Sequence, residues 1–148
     1  MKTLVVYYSR SGNTELVARR RAEETGADVL WLDTVDDFYG MNGFVNALKA
    51  TFRKKPMLLF PYDTDVSSYD KVIICTPVWG GSISLPMLEF CRRERHNIMA
   101  ADYVFVHAMP KFDAEKAAAE LDRLLRLEHG SAEAVRSVLK KQIEKKDE

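Results

Sequence analysis

The sequence predicts an α/β fold of the doubly wound kind, a three-layer arrangement with a parallel sheet between helices. Three observations carry that expectation. Short apolar runs rich in β-branched and aromatic residues recur at Leu4–Tyr8, Asp28–Leu32, Val72–Cys75 and Tyr103–Val106. The stretches between them are long enough for helices, the pattern of βαβ units rather than hairpins. Finally, 148 residues with 47% hydrophobic and 30% charged side chains suit one globular domain spanning residues 1–148.

Each element has its own signal. Leu4–Tyr8 lacks polar alternation, as a strand buried on both faces should, and stops at a Ser/Gly/Asn cluster. Thr14–Thr25 follows as a helix with Gly26 as its stop. On it, Arg21 falls where the helix faces the sheet, so it is expected to snorkel or pair with an acidic neighbour. After the second strand, Asp28–Leu32, residues 34–70 are too long for a bare loop. Phe44, Leu48 and Phe52 stand at helical spacing and place a helix at about 43–54. Met57–Phe60, between Pro56 and Pro61, reads as an extended segment packed on an edge. Val72–Cys75 is the third strand, Leu85–Arg95 a helix and Tyr103–Val106 the fourth strand. Asp113–Leu127 is an amphipathic helix with an apolar stripe of Ala117, Leu121, Leu124 and Leu125. A last helical pattern at about 132–146 rests on Val135, Val138, Leu139 and Ile143. Only residues 128–131 separate these two helices, so four strands are expected, with a short fifth within 131–138 as the alternative. A missing fifth strand would leave an open edge and invite a homodimer.

Composition narrows the function. Lys plus Arg and Asp plus Glu stand at 22 each, for zero net charge, which argues against nucleic-acid binding. No apolar run approaches the roughly 20 residues of a membrane span. Ser9 to Gly12 interrupt the N-terminal apolar run, so no secretory leader is expected. Cys75 and Cys91 stand apart with no CxxC, which speaks against a disulfide framework and for a reducing cytoplasm. Buried in a strand and a helix, they read as inert core thiols. Neither opens the Cys-to-Arg loop of a tyrosine phosphatase, and no acidic pair follows the first strand as in a receiver domain. His96, His107 and His129 fall in different elements, so no metal site and no catalytic residue are assigned.

The chemistry gathers at two strand ends. Tyr8-Ser9-Arg10-Ser11-Gly12-Asn13-Thr14 joins the first strand to the first helix. A loop there aims backbone N–H groups and the positive end of the helix dipole at the carboxyl edge of the sheet. Ser9, Ser11 and Thr14 add hydroxyls, while Gly12 and Asn13 tolerate tight turns, so the loop suits a phosphate monoester. It is neither a Walker A loop nor GxGxxG. The alternative is a plain βα turn that caps the helix. Thr76-Pro77-Val78-Trp79-Gly80-Gly81-Ser82-Ile83-Ser84-Leu85-Pro86 follows the third strand and reads as an exposed loop whose Trp could stack on a planar ligand. A core Trp beside a Gly-Gly hinge is the other reading. In a sheet of order 2-1-3-4-5 these two loops flank the switch point where ligands bind.

Together these segments resemble the flavodoxin-like FMN-binding family. The resemblance rests on Tyr8–Thr14 as the phosphate loop and on Tyr69-Asp70 leading into Val72–Gly80. Gly43-Phe44 and the helix after them resemble a branch of small members with a long second connection. It covers about residues 1–110. It implies that Ser9, Arg10, Ser11, Gly12, Asn13 and Thr14 wrap the FMN phosphate. Pro77, Val78, Trp79, Gly80 and Gly81 would line the isoalloxazine, with Trp79 stacking. The loop after strand four, including His107 and Met109, would form the other wall, where the family commonly places an aromatic. The implied function is electron transfer between a reductase and an acceptor, either a redox partner protein or a small molecule. An NAD(P)H-dependent FMN or quinone-type oxidoreductase and a flavin-free protein-binding module are the alternatives. The family's electron carriers are markedly acidic, whereas this chain is neutral.

Overall fold

The computed structural model describes residues 1–53 and 57–137. In chain order the elements are β1 (Thr3–Tyr7), α1 (Asn13–Thr25), β2 (Asp28–Trp31), α2 (Gly40–Arg53), β3 (Lys71–Trp79), β4 (Ser82–Ile83), α3 (Leu85–Glu94), β5 (Ala101–His107), α4 (Ala114–Leu125) and β6 (Ala132–Arg136). Five strands run parallel in the order β2-β1-β3-β5-β6, and the short β4 folds back antiparallel on the end of β3. Val5 pairs with Val29 on one side and with Ile73 on the other, so the order reverses at β1.

Alternation along the strands divides the core between two faces. Leu4, Val6, Ile74, Tyr103 and Phe105 pack against Ala47 of α2, Met87 and Phe90 of α3, and Leu121 of α4. Val5, Tyr7, Ile73, Cys75, Val104 and Val106 pack against Val17, Ala18 and Ala22 of α1. Burial pushes the thiols of Cys75 and Cys91 up to about 12, which keeps both protonated at neutral pH. Arg21 reaches across from α1 to Glu133 of β6 and lies 3.8 Å from Glu24, so the expected acidic partner is there.

Three expectations need correcting. The sheet has five parallel strands, not four, because residues 132–136 are a strand rather than the start of a helix. The apolar spacing that suggested a helix continues through Val138, Leu139 and Ile143, which lie outside the described residues. What fixes β6 is a set of polar ties. The Gly130 N–H donates to the Ala101 carbonyl at 2.9 Å, and the Ser131 N–H donates to the Asp102 carboxylate at 2.8 Å. A Cβ at Gly130 would stand 2.5 Å from that carboxylate, so only glycine permits the approach. Asp102 also holds the Lys71 ammonium. The Asp122 carboxylate accepts from Tyr103 and bonds His129, each at 2.8 Å, which pins the connection to α4.

The other two corrections concern extent. β3 runs four residues past Cys75 to Trp79 and turns into β4, so Trp79 ends a strand and is not on an exposed loop. The helix expected at 43–54 begins three residues earlier, at Gly40; Lys54 and Pro56 lie outside the described residues. Met57–Phe60 is extended on an edge as expected, bridging Thr34 to Leu59 in antiparallel sense.

Candidate functional site

The ends of β1, β3 and β5 and the overhanging helix α2 enclose a cavity of about 350 Å³ at the carboxyl edge of the sheet. Among its lining are Arg10, Ser11, Asn13 and Thr14 from the first loop, Pro77 to Gly81 from the β3–β4 turn, and His107 and Met109 after β5. Eleven of the thirteen residues singled out in the sequence therefore meet at one cavity. Ser9 and Gly12 stand behind it: the Ser9 hydroxyl accepts from the Gly12 N–H at 3.0 Å and braces the loop.

The first loop ends at Gly12, which caps α1 without any side chain to bond the first-turn N–H groups. Those donors have no intrahelical acceptor and stay available at the positive end of the dipole. No side chain of the loop caps the helix it leads into. Arg10 reaches over to α2: its guanidinium donates to the Gly40 carbonyl at 3.0 Å and lies 5.3 Å over the Phe44 ring, clasping the loop to that helix.

The second wall is held by the β3–β4 hairpin. Val78 pairs with Ile83 and Trp79 with Ser82, leaving Gly80-Gly81 as a two-residue turn with φ of 57° and 83°. Positive φ at both central positions matches a type I′ turn, which glycine adopts without the penalty other residues carry. The buried Thr76 and Ser84 hydroxyls are 2.9 Å apart and fasten β3 to the start of α3. Trp79 is only 6% exposed, its ring edge-on to Tyr8 at 5.7 Å and to Phe38 at 5.1 Å. The indole is thus largely a core residue that presents one side to the cavity.

Across the cavity, the His107 and Phe112 rings are 5.2 Å apart and tilted by 32°, with Phe105 backing Phe112 at 5.5 Å. Phe112 supplies the aromatic wall expected after strand four. The His107 Nδ1 lies 2.8 Å from the Met109 carbonyl. A carbonyl can only accept, so Nδ1 carries the proton.

Sequence reasoning placed none of Phe44, Leu48 or Ser137 at this site. Phe44 and Leu48 were legible as a helical stripe but not as a roof. Ser137 had no signal, because the segment before it was read as helix. Its hydroxyl is buried and unpartnered, as is the Asn13 side-chain oxygen. Buried polar atoms rarely go unpaired. Two of them lie along a cavity that has uncapped N–H donors at the α1 end and aromatic rings at the Phe112 end. That donor set suits an amphipathic ligand with an anionic end, a hydroxylated middle and a planar aromatic end, and FMN has those three parts.

The strand order, with the cavity at its reversal, is that of the flavodoxin-like α/β fold. Sequence comparison matches the chain to no protein-family model and to no curated protein. Solved structures do match its fold. A flavoprotein from Lactobacillus acidophilus NCFM, crystallised in complex with FMN, superposes with a TM-score of 0.74 at 17% identity, over 99% of each chain. The NMR structure of the apo-form of the flavoprotein from that organism gives 0.70 at 21% identity, over 92% of this chain and 93% of that one. The Streptococcus pneumonia TIGR4 flavodoxin gives 0.55 at 19% identity, over 97% and 91%.

Proposed function

We propose that this chain is an FMN-binding redox protein that passes electrons between a reductase and an acceptor. The carrying observation is that the uncapped start of α1 and the paired His107 and Phe112 rings line the same cavity. The N–H groups of Asn13 and Thr14, with the Ser11 and Thr14 hydroxyls, would hold the phosphate. Asn13 and Ser137 would satisfy their unpartnered oxygens on the ribityl hydroxyls. Phe112, His107 and Trp79 would flank the ring system, and the Gly80-Gly81 turn would bring backbone close to its edge. When bound, the isoalloxazine supplies the electron chemistry. The protein sets its orientation and excludes water around it.

Among the described residues, Arg10 and Lys111 are the charged side chains in the lining, with no acidic residue beside them. That balance supports a neutral or anionic acceptor surface better than the basic partners of acidic carriers. The deciding measurement is the visible spectrum of the purified full chain with and without added FMN. One yellow chromophore per chain, with quenched FMN fluorescence, is expected. Failure to take up FMN overturns the reading. Bleaching of the loaded protein only in the presence of a separate reductase is expected of a carrier; bleaching by NADPH alone would make it an enzyme instead.

A further inference from the structure

Parallel sheets bury both faces of their strands, yet one face at the β2 edge is bare. Leu30, Leu32 and Thr34 point into the core, while Val29, Trp31 and Val35 between and beyond them are 38%, 54% and 54% exposed. The antiparallel segment beside them alternates in the same way. Met57 and Leu59 are buried, whereas Leu58 and Phe60 are 59% and 48% exposed. Its register makes the face continuous. The Val35 N–H donates to Leu58 and the Phe60 N–H to Asp33, so Leu58 stands opposite Val35 and Phe60 opposite Asp33. Five large apolar side chains therefore share one surface, on the side of the sheet where the core under α1 takes in no residue of β2.

The area decides what fits. Aromatic side chains present roughly 150–250 Å², so Trp31 and Phe60 alone expose about 200 Å², and the five residues together on the order of 500 Å². That lies at the upper end of the largest patch a typical monomer shows. A standard dimer interface buries about 800 Å² per partner, and a homodimer interface is about 65% apolar, which calls for about 500 Å² of apolar surface.

We propose that this face is a two-fold interface between two copies of the chain, centred on Trp31 and Leu58. An open cleft beside Trp31, bounded by Ser9, Arg19, Asp33 and Tyr39, gives the partner copy a recess to fill. In a two-fold contact the same patch serves both copies, so the ring and the recess are supplied reciprocally. The interface leaves the cavity clear, since none of the five apolar residues lines it.

Sedimentation velocity on the full chain tests this between about 1 and 100 μM, the range in which a micromolar dimer dissociates. A dimer is expected, and Trp31→Glu with Leu58→Glu should raise its dissociation constant at least 100-fold while far-UV circular dichroism stays unchanged. The chain has two tryptophans, and Trp79 is already buried, so a blue shift of emission with rising concentration should report Trp31. A wild-type chain that is monomeric at about 100 μM overturns the proposal. This includes the case in which residues 138–148 or another protein cover the face. A dimer that survives both substitutions but dissociates on Ala134→Glu, at the opposite edge, also overturns it. FMN uptake plays no part in these outcomes, so the cofactor reading can fail without affecting them.

Discussion

The two edges of the sheet are held by opposite means. At the β2 edge, Met57 and Leu59 drop alternate apolar side chains into the core, and the backbone pairing follows. At the β6 edge, five of the six residues Ala132 to Ser137 are exposed or only half-buried. Apolar burial contributes little there. The strand is held by Asp102, by the Gly130 and Ser131 backbone, and by the Asp122 cluster below them. An edge fixed by apolar contacts depends on many small contributions spread over several side chains. One fixed by polar ties depends on a few groups that cannot be left unpaired.

The largest effect is therefore expected at one carboxylate. Asp102→Ala leaves Lys71 and the Ser131 N–H without their acceptor, and breaking such a buried tie costs about 3–5 kcal/mol. Urea denaturation should show it. Hydrogen exchange should show where: the amides of Tyr103 and Ser137, which bond across β6, should exchange faster, while that of Leu32 keeps its protection. Asp102→Asn should recover part of the loss, because its amide oxygen can still accept from Ser131. Equal losses in the two variants would mean that the charge, not the hydrogen bond, holds the strand.

The same carboxylate gives this edge a pH dependence of its own. Burial alone would raise the pKa of Asp102, but Lys71 and the Ser131 N–H outweigh it and hold the group below the usual range. A carboxyl depressed in the folded state stabilises fully above its unfolded pKa, near 3.9, and loses that contribution as pH falls through the folded value. Protection of the Ser137 amide should therefore fall in acid before that of Phe60. Simultaneous loss would show that the two edges unfold as one unit.

Leu59→Ala is the corresponding test at the apolar edge, with an expected cost of about 2–4 kcal/mol for a buried leucine. Here the amides of Val35 and Phe60 should be the ones released, with Ser137 unaffected.

This contrast also explains what was legible in the sequence. The Met57–Phe60 segment was read correctly, because a short apolar run between two prolines is a local signal. The parallel strands were legible as short continuous apolar runs rich in β-branched and aromatic residues, and the connection at Ser9–Thr14 from its residue types and its place after the first strand. β6 was misread because Ala132 to Arg136 has little pattern of its own and owes its conformation to Asp102, about thirty positions earlier. Ser137 was missed with it. Trp79 failed differently. Its neighbours Gly80 and Gly81 do mark a turn, but nothing local shows that β3 runs on beyond Pro77 and buries the indole between Tyr8 and Phe38.

The smallest effect belongs to an ion pair at the β6 edge. Arg21 joins α1 to Glu133 across the sheet face. Glu133 is half exposed, and Arg21 has Glu24 as a second partner. Exposed pairs of this kind contribute about 0–1 kcal/mol, because solvent and salt screen them. Glu133→Gln should therefore cost under about 1 kcal/mol, with a difference that shrinks further at high salt. The comparison with Asp102→Ala is then direct: both remove one carboxylate from the same edge, and they differ in burial and in whether a backbone N–H is left without an acceptor. Were Glu133→Gln to match Asp102→Ala in urea, the ion pair rather than the buried hydrogen bonds would be holding β6, and the contrast between the edges would need redrawing around α1.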